Sequence, residues 1–141
     1  MVGEGNYMKK CSTCKKEKTF NEFFKDKSKK FGIGNRCKIC DKEKSKVDRK
    51  RRKLLIVQKY GGKCICCGEN KFEFLTLDHI NNDGYLHRMS ISRTSGDHFY
   101  KWVVKNNFPN NLQLMCWNCN CAKGFYKICP HKTDEEKIVS A

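Results

Sequence analysis

The chain has 141 residues, 38% of them hydrophobic, and a formal net charge of +15. That length holds one small domain or two very small ones, and the thin apolar content calls for staples to keep a core together. No apolar run approaches the ~20 residues that span a bilayer, and no apolar leader opens the chain, so neither a membrane nor an exported protein is expected.

A protein kept in a reducing, cytoplasmic setting uses cysteine pairs at C-x-x-C spacing as metal ligands rather than disulfides. There are eleven cysteines, an odd number that no complete disulfide framework absorbs. The charge is front-loaded. Residues 1–60 hold 20 Lys/Arg against 7 Asp/Glu, a net of +13, while residues 61–141 hold 10 against 8, a net of +2. A polyanion partner is expected, nucleic acid first among them.

In chain order, residues 1–8 read as a loose tail. Cys11-Ser12-Thr13-Cys14 and Cys37-Lys38-Ile39-Cys40 form C-x2-C-x22-C-x2-C, close to the spacing of a four-cysteine zinc site. Phe20, Phe23, Phe24 and Phe31 lie between the knuckles and supply a small cluster over the metal. Thr19–Phe24 reads as the start of a short helix, and Gly32 and Gly34 as the turn back to the second knuckle.

Residues 41–60 contain no Pro or Gly and are rich in Lys, Arg, Glu and Leu, so a helix is expected. Leu54, Leu55, Val57 and Tyr60 offer it an apolar face. Arg49, Lys50, Arg51, Arg52 and Lys53 are its densest positive cluster, suited to sequence-independent phosphate contacts. Gly61-Gly62 ends it.

Cys64-x2-Cys67-Gly68 opens a second four-cysteine site, closed by Cys116-x2-Cys119, with Cys66 as a bystander. Inside this metal-closed loop, Phe72–Ile80 reads as a strand and Asn81-Asn82-Asp83-Gly84 as a turn. Leu112–Met115 reads as a second strand, and residues 117–124 as one to two helical turns ended by Gly124. Between the strands, Phe99, Tyr100, Trp102, Val103 and Val104 suggest a short helix, with Arg93 and Lys101 as further DNA contacts. Cys121 reads as a small core residue, Cys129 as structural, and 132–141 as a tail. Cys129-Pro130-His131 offers extra metal ligands that two complete tetrads would leave unused.

Leu77-Asp78-His79-Ile80, Asn111-Leu112 and Cys116-x-x-Cys119-Asn120, followed by Lys123-Gly124, resemble the HNH or ββα-metal endonucleases. The likeness is to the zinc-ribbon subgroup of endonuclease VII and small phage-encoded HNH enzymes, and it covers residues 60–130. It implies an α+β chain: a four-cysteine zinc module (1–45), a basic linker helix (46–60), a ββα-metal nuclease domain with a second structural zinc (61–131) and a flexible tail (132–141).

The resemblance also implies the chemistry, which is hydrolysis of DNA to 5′-phosphate and 3′-hydroxyl ends. His79 is the implied general base, suited by a pKa near neutrality. Asp78 and Asn120 are the implied ligands of one Mg²⁺ or Mn²⁺ ion, which prefers oxygen donors. Asn111, with Asn110 as fallback, is implied to orient the His79 segment by a hydrogen bond across the loop. His87, Arg88 and Lys123 are candidate phosphate contacts alongside the helix cluster. Asp97-His98 is a competing acid–His pair with no strand before it. A homodimer suits double-strand cleavage, since one such site cuts one strand. A non-catalytic zinc-dependent DNA- or RNA-binding protein is the alternative.

Overall fold

The computed structural model describes residues 7–91 and 96–132. Arg93, most of the residue 1–8 segment and the tail beyond 132 lie outside the described residues. The fold is mixed α+β and divides into two compact units, Met1–Arg49 and Lys50–Ala141.

In the first unit, β1 (Met8–Lys10) and β2 (Glu17–Thr19) form an antiparallel pair around the first knuckle. Lys15 takes the left-handed conformation (φ 62°) that turns the chain between them. The segment after β2 is a single 3-10 turn, Phe20–Glu22, and the short helix expected from Thr19–Phe24 does not continue beyond it. Glu22 closes it by accepting from the Thr19 amide (3.0 Å) and Lys18 Nζ (2.6 Å). The chain then straightens into β3 (Phe23–Lys25), which pairs with β4 (Ile33–Cys37) and sets Phe23 opposite Cys37. Phe23 and Ile33 are buried with the cysteines, while Phe24 and Phe31 are exposed. The apolar cover is therefore one Phe and one Ile, with Phe20 at its margin.

Helix α1 spans Lys38–Lys59. It begins directly after Cys37, so Cys40 lies in its first turn and the linker helix starts earlier than residue 46. Apart from Cys40, its buried apolar residues are Ile56 and Val57, with Tyr60 packed just past its end; Leu54 and Leu55 face solvent. Positions 53, 56, 57 and 60 recur at helical spacing, and that stripe meets the core of the second unit.

That core is built on β5 (Leu75–His79) and β6 (Leu112–Cys116), paired antiparallel from Leu75 opposite Cys116 to His79 opposite Leu112. Phe72–Phe74 is a 3-10 turn leading into β5 rather than part of the strand. All five residues of β5 are buried, because both faces of the ribbon are covered. The connection between the strands carries α2 (Gly84–Ile91) and α3 (Gly96–Lys105), the latter burying Phe99 and Val103. From β6 the chain passes straight into α4 (Trp117–Tyr126). Gly124 lies inside this helix, which ends instead at Lys127 (φ 68°). Cys121 is exposed, not in the core. It stands about 200° around the helix from Cys119, the residue α4 buries.

Candidate functional site

The cysteines gather where their spacing places them. Cys11, Cys14, Cys37 and Cys40 form one group of ligand atoms within 4.8 Å of one another, and Cys64, Cys67, Cys116 and Cys119 form another. Each group could hold a metal ion such as zinc. Backbone amides point at the sulfurs: Thr13 N and Cys37 N donate to Cys11 Sγ (3.4 and 3.3 Å), and Cys119 N donates to Cys116 Sγ (3.4 Å). The Cys37 amide leads in holding the Cys11 thiol down at about 6. Cys40 is pushed the other way, to about 12, first by the Cys37 side chain and then by burial. Close thiols resist ionising together, and a divalent cation among them removes that conflict. Gly68 (φ 78°) makes the turn after Cys67, and Ile65 N donates to Leu114 O (2.9 Å), tying the second knuckle to β6.

Asp78 and His79 close β5, and alternation along the strand sends them to opposite faces. Asp78 faces α4. Its Oδ2 accepts from Lys123 Nζ (2.7 Å) and Gln113 Nε2 (2.6 Å). Lys123 Nζ also donates to the His79 carbonyl (2.7 Å). The side chains of this ion pair are 12% and 9% exposed, so it is a buried pair rather than a surface one. Asn120 is half-buried on α4, one turn before Lys123.

His79 faces α2 and α3. Its ring stacks on Phe99 (centroids 5.3 Å apart), and its Nε2 shares a 2.7 Å hydrogen bond with His87 Nδ1. The other ring nitrogen lies against Gly84, where an added Cβ would stand 2.8 Å from Nδ1. Burial pulls the His79 pKa below its ordinary value, and the neighbouring His87 pulls it further. The ring is therefore neutral at neutral pH and able to accept a proton. Asp83, just before α2, has a buried carboxylate oxygen without a hydrogen-bond partner.

Other expected site residues fall in two groups. Arg49, Lys50, Arg51 and Arg88 are exposed. Arg52 instead pairs with Asp97 of α3, while Lys53 donates to the Glu73 carbonyl (3.4 Å) and lies over the Phe72 ring. A five-residue run exceeds one helical turn, so part of it must face the domain. Asp97 also pairs with Lys101 (2.8 Å), so the competing Asp97-His98 acid is spent on structural ion pairs. His87 packs on Trp102 (4.2 Å) and His79 rather than standing free. Asn111 has an exposed side chain, and its contact across the loop is made by its carbonyl, which accepts from Ile80 N (3.1 Å).

Gln113, Gly84 and Phe99 shape the site without having been singled out for it in the sequence. The alternation of β6 offered a signal for Gln113, the one residue of that strand not fully buried. A cleft of about 240 Å³ adjoins the Asp78 side, lined by Gln113, Lys123, Lys127, Lys132 and Ile80 among others. Three lysines around a carboxylate's partners favour an anion there.

No protein-family model, no curated protein and no solved structure matches this chain. Among the described residues, no helix is long and apolar enough to cross a membrane.

Proposed function

We propose that this protein is a metal-dependent DNA endonuclease of the HNH type, its two cysteine tetrads holding structural zinc. One observation carries the reading: Asp78 and His79 end a strand whose partner runs directly into the helix bearing Asn120 and Lys123. The unit thus carries an acid and an imidazole on neighbouring strand positions and an amide on the helix one turn before the partner of that acid.

A hard divalent ion suits the oxygen donors that Asp78 and Asn120 offer. Asp78 and Asn120 would hold it, and when bound it would neutralise charge on the phosphate and the leaving oxygen. Lys123 competes for the same carboxylate and is the group that must yield. His79, kept neutral by burial, takes the proton of the attacking water. Lys127 and Lys132 favour the phosphate, and Arg49, Lys50 and Arg51 hold flanking backbone through charge.

The test is nicking of supercoiled plasmid with Mg²⁺ or Mn²⁺. Wild type should cut, and His79→Ala should lose on the order of 10²–10⁴ of the rate. An inert wild type, or an alanine variant that cuts equally well, overturns the reading. A second reading is a zinc-dependent nucleic-acid binder, favoured by the burial of His79 and by Lys123 already neutralising Asp78. It predicts retarded DNA, or RNA in preference to duplex, with no cleavage under any divalent ion.

A further inference from the structure

A third ligand cluster lies against the second tetrad. Cys66, Cys119, Cys129 and His131 place their ligand atoms within 4.8 Å of one another. Cys119 belongs to both groups. His131 Nδ1 lies 3.4 Å from Cys119 Sγ, 3.4 Å from Cys129 Sγ and 4.0 Å from Cys66 Sγ. Zinc–sulfur bonds of ~2.3 Å and zinc–nitrogen bonds of ~2.0 Å at a tetrahedral angle put neighbouring ligand atoms about 3.5–3.8 Å apart. The spacings around His131 Nδ1 bracket that range. Cys119 and Cys129 are buried, Cys66 is half-buried and His131 is exposed, so the group closes from within and opens at its imidazole edge.

We propose that the second unit binds two zinc ions in a binuclear centre, with Cys119 as a bridging thiolate. One ion takes Cys64, Cys67, Cys116 and Cys119; the other takes Cys119, Cys66, Cys129 and His131 through Nδ1. Charge favours the arrangement. The second ion brings two positive charges, the thiolates of Cys66 and Cys129 remove them, and the imidazole binds neutral. Cys66 is then a ligand rather than a bystander between two ligands. The chain after Lys127 is then drawn back onto the 64–68 knuckle, and α4 is held by metal at both ends. This inference is independent of the nuclease reading.

The test is metal content of the full chain, purified with zinc and freed of loose metal by gel filtration. Wild type should carry three zinc ions per chain, one in the first unit and two in the second. His131→Ala should carry two while keeping wild-type circular dichroism, because the site it empties leaves both complete tetrads intact. His131→Cys should restore the third. In cobalt-substituted protein, the two ions sharing Cys119 should couple magnetically, so that wild type shows about one third of its cobalt by electron paramagnetic resonance. His131→Ala should show all of it. Two zinc ions in wild type, or three retained in His131→Ala, overturn the proposal. Three zinc ions with no magnetic coupling overturn the shared thiolate.

Discussion

Gly84 is the residue where a single methyl group has most effect on the site. Its added Cβ would stand 2.8 Å from His79 Nδ1, closer than a side chain tolerates, and 3.3–3.4 Å from two ring carbons, a tight contact. Gly84→Ala should push the imidazole off Phe99 and away from His87. If the proposed nuclease reading holds, the cleavage rate should fall with little change in DNA affinity, read by single-turnover kinetics beside a binding titration. The Asp78–Lys123 pair makes a second prediction. Removing one member of a buried ion pair costs about 3–5 kcal/mol, whereas replacing both can be close to neutral. Lys123→Met alone should lower stability in urea, and pairing it with Asp78→Asn should recover much of the loss. Asp78, His79 and Asn120 are legible in the sequence as an acid–imidazole pair and an amide after a knuckle. The inward turn of Lys123 is not. A lysine near a proposed phosphate site reads as a contact to substrate, and only the packing of α4 on β5 shows that its nearest anion is Asp78.

At the scale of elements, α1 shows why composition alone misplaces a face. Leu54, Leu55 and Val57 look like an apolar edge, yet the helix presents Ile56 and Val57 to the core. Which of several adjacent apolar residues turns inward is decided by tertiary packing rather than by composition. Ile56→Ala should cost about 2–5 kcal/mol, against well under 1 kcal/mol for the exposed Leu54→Ala, by denaturant unfolding. Helix α3 is held to α1 by Asp97, whose partners are Arg52 and Lys101. Burial works against the Asp97 charge, but the bond from Lys101 and the Arg52 charge outweigh it and depress its pKa. A depressed carboxylate pKa stabilises the fold above the unfolded value of 3.8, and that contribution is lost as pH falls through the folded value. Asp97→Asn should therefore lower the melting temperature at pH 6 and lower it less at pH 3.

On the scale of the whole molecule, the metal groups are the most legible feature, because C-x-x-C spacing is local and each pair answers another. The division between units falls inside α1, at Arg49–Lys50, where no break in the sequence marks it. The two helices between β5 and β6 are also less legible, since residues 80–111 carry mixed polar and apolar segments whose packing is decided by His79 and the core rather than by local preference. Each unit closes around its own cysteines, so chelation should act on them separately. If both tetrads hold zinc as proposed, stripping it should give two unfolding transitions by circular dichroism as chelator strength rises, rather than one. On the proposed nuclease reading, loss of cleavage in EDTA would have two causes, and restoring Mg²⁺ alone would recover activity only while both units remain folded.

Helix α1 carries ten Lys and Arg against three Asp and Glu over its 22 residues, a net of +7 along about 33 Å. It is a short polyelectrolyte, and its own charges oppose its coiling. Ion pairs such as Lys44–Asp48 (2.9 Å) offset only part of that repulsion. At ~0.1 M salt the screening length is about 10 Å, near two helical turns, so neighbouring charges still feel one another. Added salt should tighten this helix while weakening the polyanion contact proposed for it. A bound polyanion can supply the first effect without the second, by bringing its own counter-charge to the helix it occupies.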